Sequence, residues 1–311
     1  MINELLILVG PTAVGKTDLS LSLAEEINAE IISADSMQIY KGMDIGTAKP
    51  TREERARVPH HLIDIEHPRY EFSVGEYLRR AEEVIEDIKK RGKVPLVVGG
   101  TGLYVRALTE GIFEGPPADW VLREELLERE RSEPGSLYRE LERVDPEAAR
   151  KIHPSDVRRT VRALEVYYKE GTPISAIHRE HRSGVTRRPA RTVGLRRARP
   201  ELYKRIEARV DAMMAEGFLE EVVALKGRGC TRGMVSMQAL GYKQFMAHLD
   251  GEVTLDEAVR LIKRDTKRYA KRQFTWFNAD KSVRWADLDG LSKDEALGRI
   301  KKALEILPDI G

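Results

Sequence analysis

At 311 residues the chain exceeds a typical single domain, which predicts one large α/β unit carrying a smaller inserted or appended one. Its 41% hydrophobic and 33% charged residues exclude a disordered chain, and no apolar run approaches the roughly 18 residues that span a bilayer. The net charge is +2, from 53 Lys and Arg against 51 Asp and Glu, so a polyanion-binding surface requires local segregation of charge; the lone Cys230 excludes an internal disulfide and a Cys-rich zinc site.

Leu5 to Val9 is a continuous apolar run without the basic flank or cleavage site of a signal peptide, and reads as a buried strand of a cytoplasmic protein. A Gly-rich turn follows, then a helical pattern to about Ile27 in which Leu19, Leu23 and Ile27 recur at spacing four. A second strand is expected at Ala29 to Ser33, an amphipathic helix at Val74 to Lys90, and a third strand at Val94 to Val98 ending in Gly99-Gly100-Thr101. Such alternation implies an α/β fold with a parallel sheet and helices on both faces. After Gly115-Pro-Pro117 the pattern turns charge-rich and helical, with no buried strand before about Pro189. Strands return at Arg191 to Leu195 and Ser282 to Trp285, and Ser292 to Glu295 has the spacing of a helix capping box. Residues 1–115 and 190–311 are thus expected to form one α/β core and 116–189 an all-helical insertion.

Gly10-Pro11-Thr12-Ala13-Val14-Gly15-Lys16-Thr17 fits G-x-x-x-x-G-K-[ST] between a predicted strand and helix. The glycines let the backbone curl so that amides face an anion, Lys16 adds a point charge, and the Thr17 hydroxyl can reach a magnesium ion. Such a loop specifies a polyphosphate and leaves kinase, NTPase and diphosphate-leaving transferase open. The third strand ends without an acid, which lowers the NTPase reading, because those enzymes hold magnesium with one there.

Asp35, the first acid after the second strand, belongs at the carboxyl edge of the sheet, where open α/β folds bind ligands, and Thr101 faces the same edge. A turn or capping aspartate is the ordinary alternative. From His178 to Arg199 there are eight arginines against the single acid Glu180, and from Arg260 to Arg272 seven basic residues against Asp265. In the second run Arg260, Arg264, Arg268 and Arg272 share a helix face with Lys263, Lys267 and Lys271, which marks a phosphate-contacting surface or a solvated helix. The histidines show no metal-ligand spacing, while Met213-Met214 and Phe274 to Phe277 read as core.

The phosphate loop, the block Ser33-Ala-Asp-Ser-Met-Gln-Ile-Tyr-Lys-Gly-Met-Asp-Ile-Gly-Thr-Ala-Lys-Pro50 and Val98-Gly-Gly-Thr-Gly-Leu-Tyr104 together closely resemble the tRNA dimethylallyltransferases. The resemblance continues through His153 to Glu165, Arg205 to Met213, Gly241-Tyr242-Lys243 and Lys271 to Trp276, covering nearly the whole chain. The added zinc-finger region of eukaryotic members has no counterpart, as in the shorter bacterial form.

The resemblance implies a P-loop fold of the nucleoside-triphosphate-hydrolase type in which residues 10–17 hold dimethylallyl diphosphate with Mg²⁺, Asp35 is the general base, Thr101 places it and the target amine, and Arg209 stabilises the leaving diphosphate. By the same resemblance Asp35, Ser36, Met37, Gln38 and Thr101 receive an adenine extruded from the anticodon stem-loop, and Gly241, Tyr242 and Lys243 contact the tRNA. In the insertion, Arg123 matches a family position near the RNA, while Arg158, Arg159 and Arg162 are either backbone clamps or ion pairs with nearby glutamates. The expected partners are tRNA and the prenyl donor, with no membrane, for a monomeric enzyme. An adenylate prenyltransferase, a P-loop small-molecule kinase and a non-catalytic RNA-binding P-loop protein are the rival readings.

Overall fold

In the computed structural model, which describes residues 4–113, 115–184 and 187–306, the apolar runs become one parallel sheet. Its strands are β1 (Leu5–Val9), β2 (Ala29–Ala34), β3 (His60–His61), β4 (Val94–Gly99), β5 (Ala190–Arg196) and β6 (Val283–Asp287), in the order β3-β2-β4-β1-β5-β6. All five pairings are parallel. The helices are α1 (Lys16–Glu26), α2 (Arg52–Arg57), α3 (Val74–Lys90), α4 (Gly102–Glu110), α5 (Trp120–Ser132), α6 (Ser136–Val144), α7 (Pro146–Ala149), α8 (Val157–Glu170), α9 (Ile174–Gly184), α10 (Arg199–Ala215), α11 (Phe218–Gly227), α12 (Tyr242–Leu249), α13 (Leu255–Asn278) and α14 (Lys293–Ala303).

Alternation along β1 decides the layers, because successive strand side chains point to opposite faces. Leu6 and Leu8 pack with Leu19 and Leu23 of α1, Ile206 of α10 and Ile300 of α14. Leu5, Ile7 and Val9 pack with Tyr77 and Ile85 of α3, Leu108 of α4 and Phe277 of α13. With both faces covered, the strand reads as an unbroken apolar run. The amphipathic helix falls on Val74–Lys90 as expected, and Ser292 and Glu295 form the capping box that opens α14. Strand β3 is an addition to the expected set: its two residues pair with Ile31 and Ile32, too short a stretch to show a period in the sequence. Among the described residues no helix is long and apolar enough to cross a membrane.

The chain divides into two compact units, Met1–Thr109 with Arg188–Gly311, and Glu110–Arg187. The second is helical, packed around Leu126, Leu137, Leu141, Val161 and Leu164. Its polar centre is Glu165, which is fully buried. The carboxylate accepts from Arg123 Nε at 2.8 Å and Nη2 at 2.9 Å, from Arg162 Nη1 at 2.5 Å and from the Asp119 amide at 2.8 Å. Burial works to raise the carboxyl pKa, and these bonds overcome it, leaving the group below its ordinary value. Removing the carboxylate leaves the Asp119 amide and the two arginines, which are 25% and 35% exposed, without their acceptor, so Glu165→Ala should destabilise this unit by about 1–3 kcal/mol. Urea unfolding followed by hydrogen exchange in α5 and α8 measures the loss, and Glu165→Gln should lose less.

Candidate active site

The turn from β1 into α1 holds Gly10–Thr17. Gly10 (φ 151°) and Gly15 (φ 111°) take backbone conformations that side chains disfavour, so the loop curls tightly enough to open the first-turn amides of α1 toward a ligand. Three cations brace the curl. Lys16 Nζ donates to the carbonyls of Gly10 (2.8 Å) and Pro11 (2.9 Å), Arg205 Nε to that of Ala13 (2.8 Å), and Arg197 Nε to that of Val14 (3.0 Å). Burial pushes the Lys16 ammonium down to about 8, against the opposing pull of Asp35 and with a further push from Arg209. Burial, then the charge of Arg205, also holds Arg209 below its ordinary value. Cations crowded at this cost are compensated by a ligand carrying several negative charges.

Asp35 follows β2 directly and shares one cavity with Lys16, Thr17 and Arg209. One carboxylate oxygen accepts from the Met37 amide at 2.9 Å. Burial raises its pKa above the usual aspartate value, opposed by that hydrogen bond, by Lys16, by the Gln38 amide and by Lys49. Thr101 Oγ1 accepts from the Ser36 amide at 3.0 Å, and the Thr101 amide donates to Ala34 O at 3.0 Å, which ties the ends of β4 and β2 together. Gln38 spends its amide on the protein, donating to Thr47 O and Ala48 O at 3.3 Å each and accepting from Ser33 Oγ at 3.1 Å. It shapes the pocket through that network.

The cavity has a volume of about 350 Å³. Ile206, Val210 and Met213 of α10, Phe218 of α11 and Ile262 of α13 form an apolar wall along it. Sequence reading missed this wall, since i, i+4, i+7 spacing on α10 is equally a core pattern. Met213 therefore faces the cavity as well as packing on the neighbouring core. Phe277 is core as expected, whereas Phe274 is 36% and Trp276 42% exposed, because they lie on other faces of α13. Phe274 packs on Trp285, with ring centroids 5.0 Å apart.

The remaining expected residues scatter. Lys243 lines the cavity, but Tyr242 is fully buried with its hydroxyl donating to Glu221 at 2.6 Å, and the Gly241 amide donates to Gln244, so those two build the wall's support. Pro11 and Val14 serve through their backbone, Val14 being fully buried. In the helical unit Arg123 and Arg162 are engaged by Glu165, Arg159 pairs with Asp156 at 3.4 Å, and Arg158 is exposed. The arginine run before Arg199 is largely neutralised: Arg179 pairs with Glu147, Arg187 with Glu110, Arg188 with Glu82, Arg191 with Glu4 and Arg196 with Asp287, while the side chains of residues 182–186 lie outside the described set. On α13 the basic face lines a groove of about 410 Å³ with Tyr203 and Glu207 of α10. Lys263 there pairs with Asp211 and Lys267 with Glu207, whereas Arg264 and Arg268 share Asp265.

A family model described as IPP transferase matches residues 38–280, and one described as isopentenyl transferase matches residues 3–66. A tRNA dimethylallyltransferase of Thermodesulfovibrio yellowstonii is 53% identical over 295 residues, covering 93% of each chain. That of Thermotoga neapolitana is 49% identical, covering 98% of this chain and 97% of the relative. Among solved structures, the full-length tRNA isopentenylpyrophosphate transferase of Bacillus halodurans superposes with a TM-score of 0.70 at 42% identity, over 98% of this chain and 99% of that one. A eukaryotic dimethylallyltransferase acting on tRNA gives a TM-score of 0.81 at 29% identity, over 99% of this chain and 81% of that one.

The lowered pKa of Lys16 makes anion binding pH-dependent. The cation is the binding form, so affinity for inorganic diphosphate should be constant well below pH 8 and fall as the pH rises through about 8. Calorimetric titration of the free protein with diphosphate between pH 6.5 and 9.5 checks this, and Lys16→Arg, which stays charged, should flatten the alkaline fall.

Proposed function

Since the chain belongs to the IPP transferase family, we propose that it transfers the dimethylallyl group of dimethylallyl diphosphate to the exocyclic N6 amine of the adenosine 3′ to the anticodon in tRNA, releasing diphosphate. One observation carries this reading: a carboxylate at the end of β2, the cationic phosphate loop and an apolar wall meet in a single cavity. The loop, Lys16 and Arg209 suit a diphosphate, and the wall of Ile206, Val210, Met213 and Phe218 suits a five-carbon chain. The relatives act on tRNA by name, which favours an RNA acceptor over free adenylate. The reading extends to a monomer working in the cytoplasm, where a tRNA acceptor is at hand.

The adenine amine is a weak nucleophile because its lone pair is delocalised into the ring. As its nitrogen bonds to C1 of the donor, the C1–O bond breaks with its electron pair going to the diphosphate, and Asp35 takes the amine proton. Thr101, fixed by the Ser36 amide, orients the amine beside that carboxylate. Charge gathers on the leaving diphosphate, where the loop amides, Lys16 and Arg209 receive it. Among the described residues no three His, Cys, Asp or Glu side chains group as a metal site. The hydroxyl of Thr17, which lines the cavity beside Lys16, is of the oxygen-donor kind that suits Mg²⁺: Thr17 would hold the ion together with the donor, and when bound it would supply further neutralisation of diphosphate charge.

Asp35→Asn should leave both substrates bound while slowing transfer of labelled dimethylallyl to unmodified tRNA by roughly 10²–10⁴-fold, because the amide can accept a hydrogen bond but not the proton. Single-turnover assays at saturating donor and tRNA isolate that step, and near-normal transfer would return Asp35 to a turn residue. AMP offered in place of tRNA should accept no label.

On α13 the groove lined by Arg264, Arg268 and Lys271 is assigned to RNA phosphates, together with Arg158 in the helical unit. Affinity for tRNA should then fall with salt by about 0.7–0.9 log units per contact per decade. The Arg264→Ala, Arg268→Ala double variant should bind more weakly with a shallower slope, whereas unchanged affinity and slope would make this a solvated face.

A further inference from the structure

Gln273 lies in the Lys271 to Trp276 segment, which the proposed mechanism leaves without a role. Its side chain is 6% exposed, yet both arms of its amide are used. Oε1 accepts from the Thr12 amide of the phosphate loop at 2.9 Å, and Nε2 donates to Gly100 O beyond β4 at 2.9 Å. An N–H faces one end and a carbonyl the other, so this orientation of the amide is the only one that satisfies both. Tyr269, one helical turn before Gln273, lines the same cavity. Gly100 is shaped for the contact, since a Cβ there would sit 2.1 Å from Gln273 Nε2.

The connections form one line across the site. Thr12 is held to Gln273, Gln273 to Gly100, and the next residue, Thr101, donates its amide to Ala34 O, immediately before Asp35. Thr266, Tyr269 and Arg272 of the same helix, α13, line the cavity beside Gln273. The Thr12 amide is committed to Gln273, so that side chain helps set where this part of the loop lies beside the end of β4. Building on the proposed prenyl transfer, we propose that Gln273 is a positioning residue that sets the phosphate loop relative to Asp35 and Thr101, bringing the donor carbon opposite the acceptor amine. Misplacement by about 1 Å in such an arrangement costs on the order of 10²-fold in rate.

Gln273→Met keeps the length of the side chain and removes both hydrogen bonds, while Gly100→Ala displaces the amide without altering Gln273. Each is compared with the unaltered enzyme in three measurements: single-turnover transfer at saturating donor and tRNA, affinity for inorganic diphosphate with magnesium, and affinity for an anticodon stem-loop. Both variants should transfer at least tenfold more slowly and bind diphosphate about three- to tenfold more weakly, with stem-loop affinity within twofold. A merely structural role would lower all three in parallel with thermal stability, and that outcome overturns the proposal. So does a transfer rate within twofold of the unaltered enzyme in either folded variant. If the unaltered enzyme itself moves no label and binds no diphosphate, the prenyl-transfer reading fails first, and the test distinguishes that case from a failure of Gln273 alone.

Discussion

The site rests on a pair of opposite charges held in one poorly solvated crevice. Lys16 and Asp35 each lose hydration, which drives the lysine pKa down and the aspartate pKa up, and each charge offsets part of the other's loss. A base that takes a proton from an amine must be ionised yet more basic than an exposed carboxylate, and burial beside a cation meets both demands. The sheet makes the pair compatible with a substrate between them. β1 leads to Lys16 and β2 to Asp35, with β4 lying between the two strands. At the usual strand spacing that separates their ends by about 10 Å, and the intervening strand must end without bulk. It does so at Gly99-Gly100, where a Cβ on Gly99 would stand 2.2 Å from Ala34 O.

The second requirement is an environment that changes from charged to apolar within one cavity. Arg205 and Arg209 sit one turn apart on α10, one bracing the loop and the other lining the cavity, and Ile206, Val210 and Met213 continue along that helix as the apolar wall. A single helix therefore supplies both cationic and apolar lining to the cavity. Such a wall also keeps water from a carbon on which positive charge develops as its bond to diphosphate weakens, limiting hydrolysis as a side reaction. Behind it, Glu221 accepts from the amides of Asp44, Ile45 and Gly46 and from Tyr242, fixing the loop whose Thr47 and Ala48 carbonyls hold Gln38.

What the sequence made legible is what depends on neighbours in the chain. The five longer strands, the helix at Val74–Lys90, the phosphate loop and the Ser292 cap arise from local periodicity or turn chemistry, and Asp35 follows from its place after a strand. Contacts between distant residues were not legible. The arginine run near residue 190 looked like a polyanion surface because the partners of Arg191 and Arg196, Glu4 and Asp287, lie far away in sequence. Tyr242 stood beside Lys243 in a recognisable motif, yet helical geometry turns the first into the core and the second into the cavity. Trp276 and Phe277 show the same divergence: adjacent in sequence, they point about 100° apart on α13, one exposed and one buried.

The end of β4 explains why this phosphate loop is better suited to a leaving group than to nucleotide hydrolysis. In an NTPase an acid there would hold magnesium and organise attack on the terminal phosphate. Here Gly99 has no room for a side chain, the space beyond Gly100 is taken by Gln273, and Thr101 turns toward Ser36. The groups that would act on phosphorus are replaced by groups that address the neighbouring crevice. The loop keeps the shape that suits a polyphosphate, while the proposed base follows β2, one strand beyond β4 and on the far side from β1. In the proposed reaction a nucleophile activated by Asp35 would meet a carbon attached to the phosphate chain, and the apolar wall is the surface on which that carbon would rest.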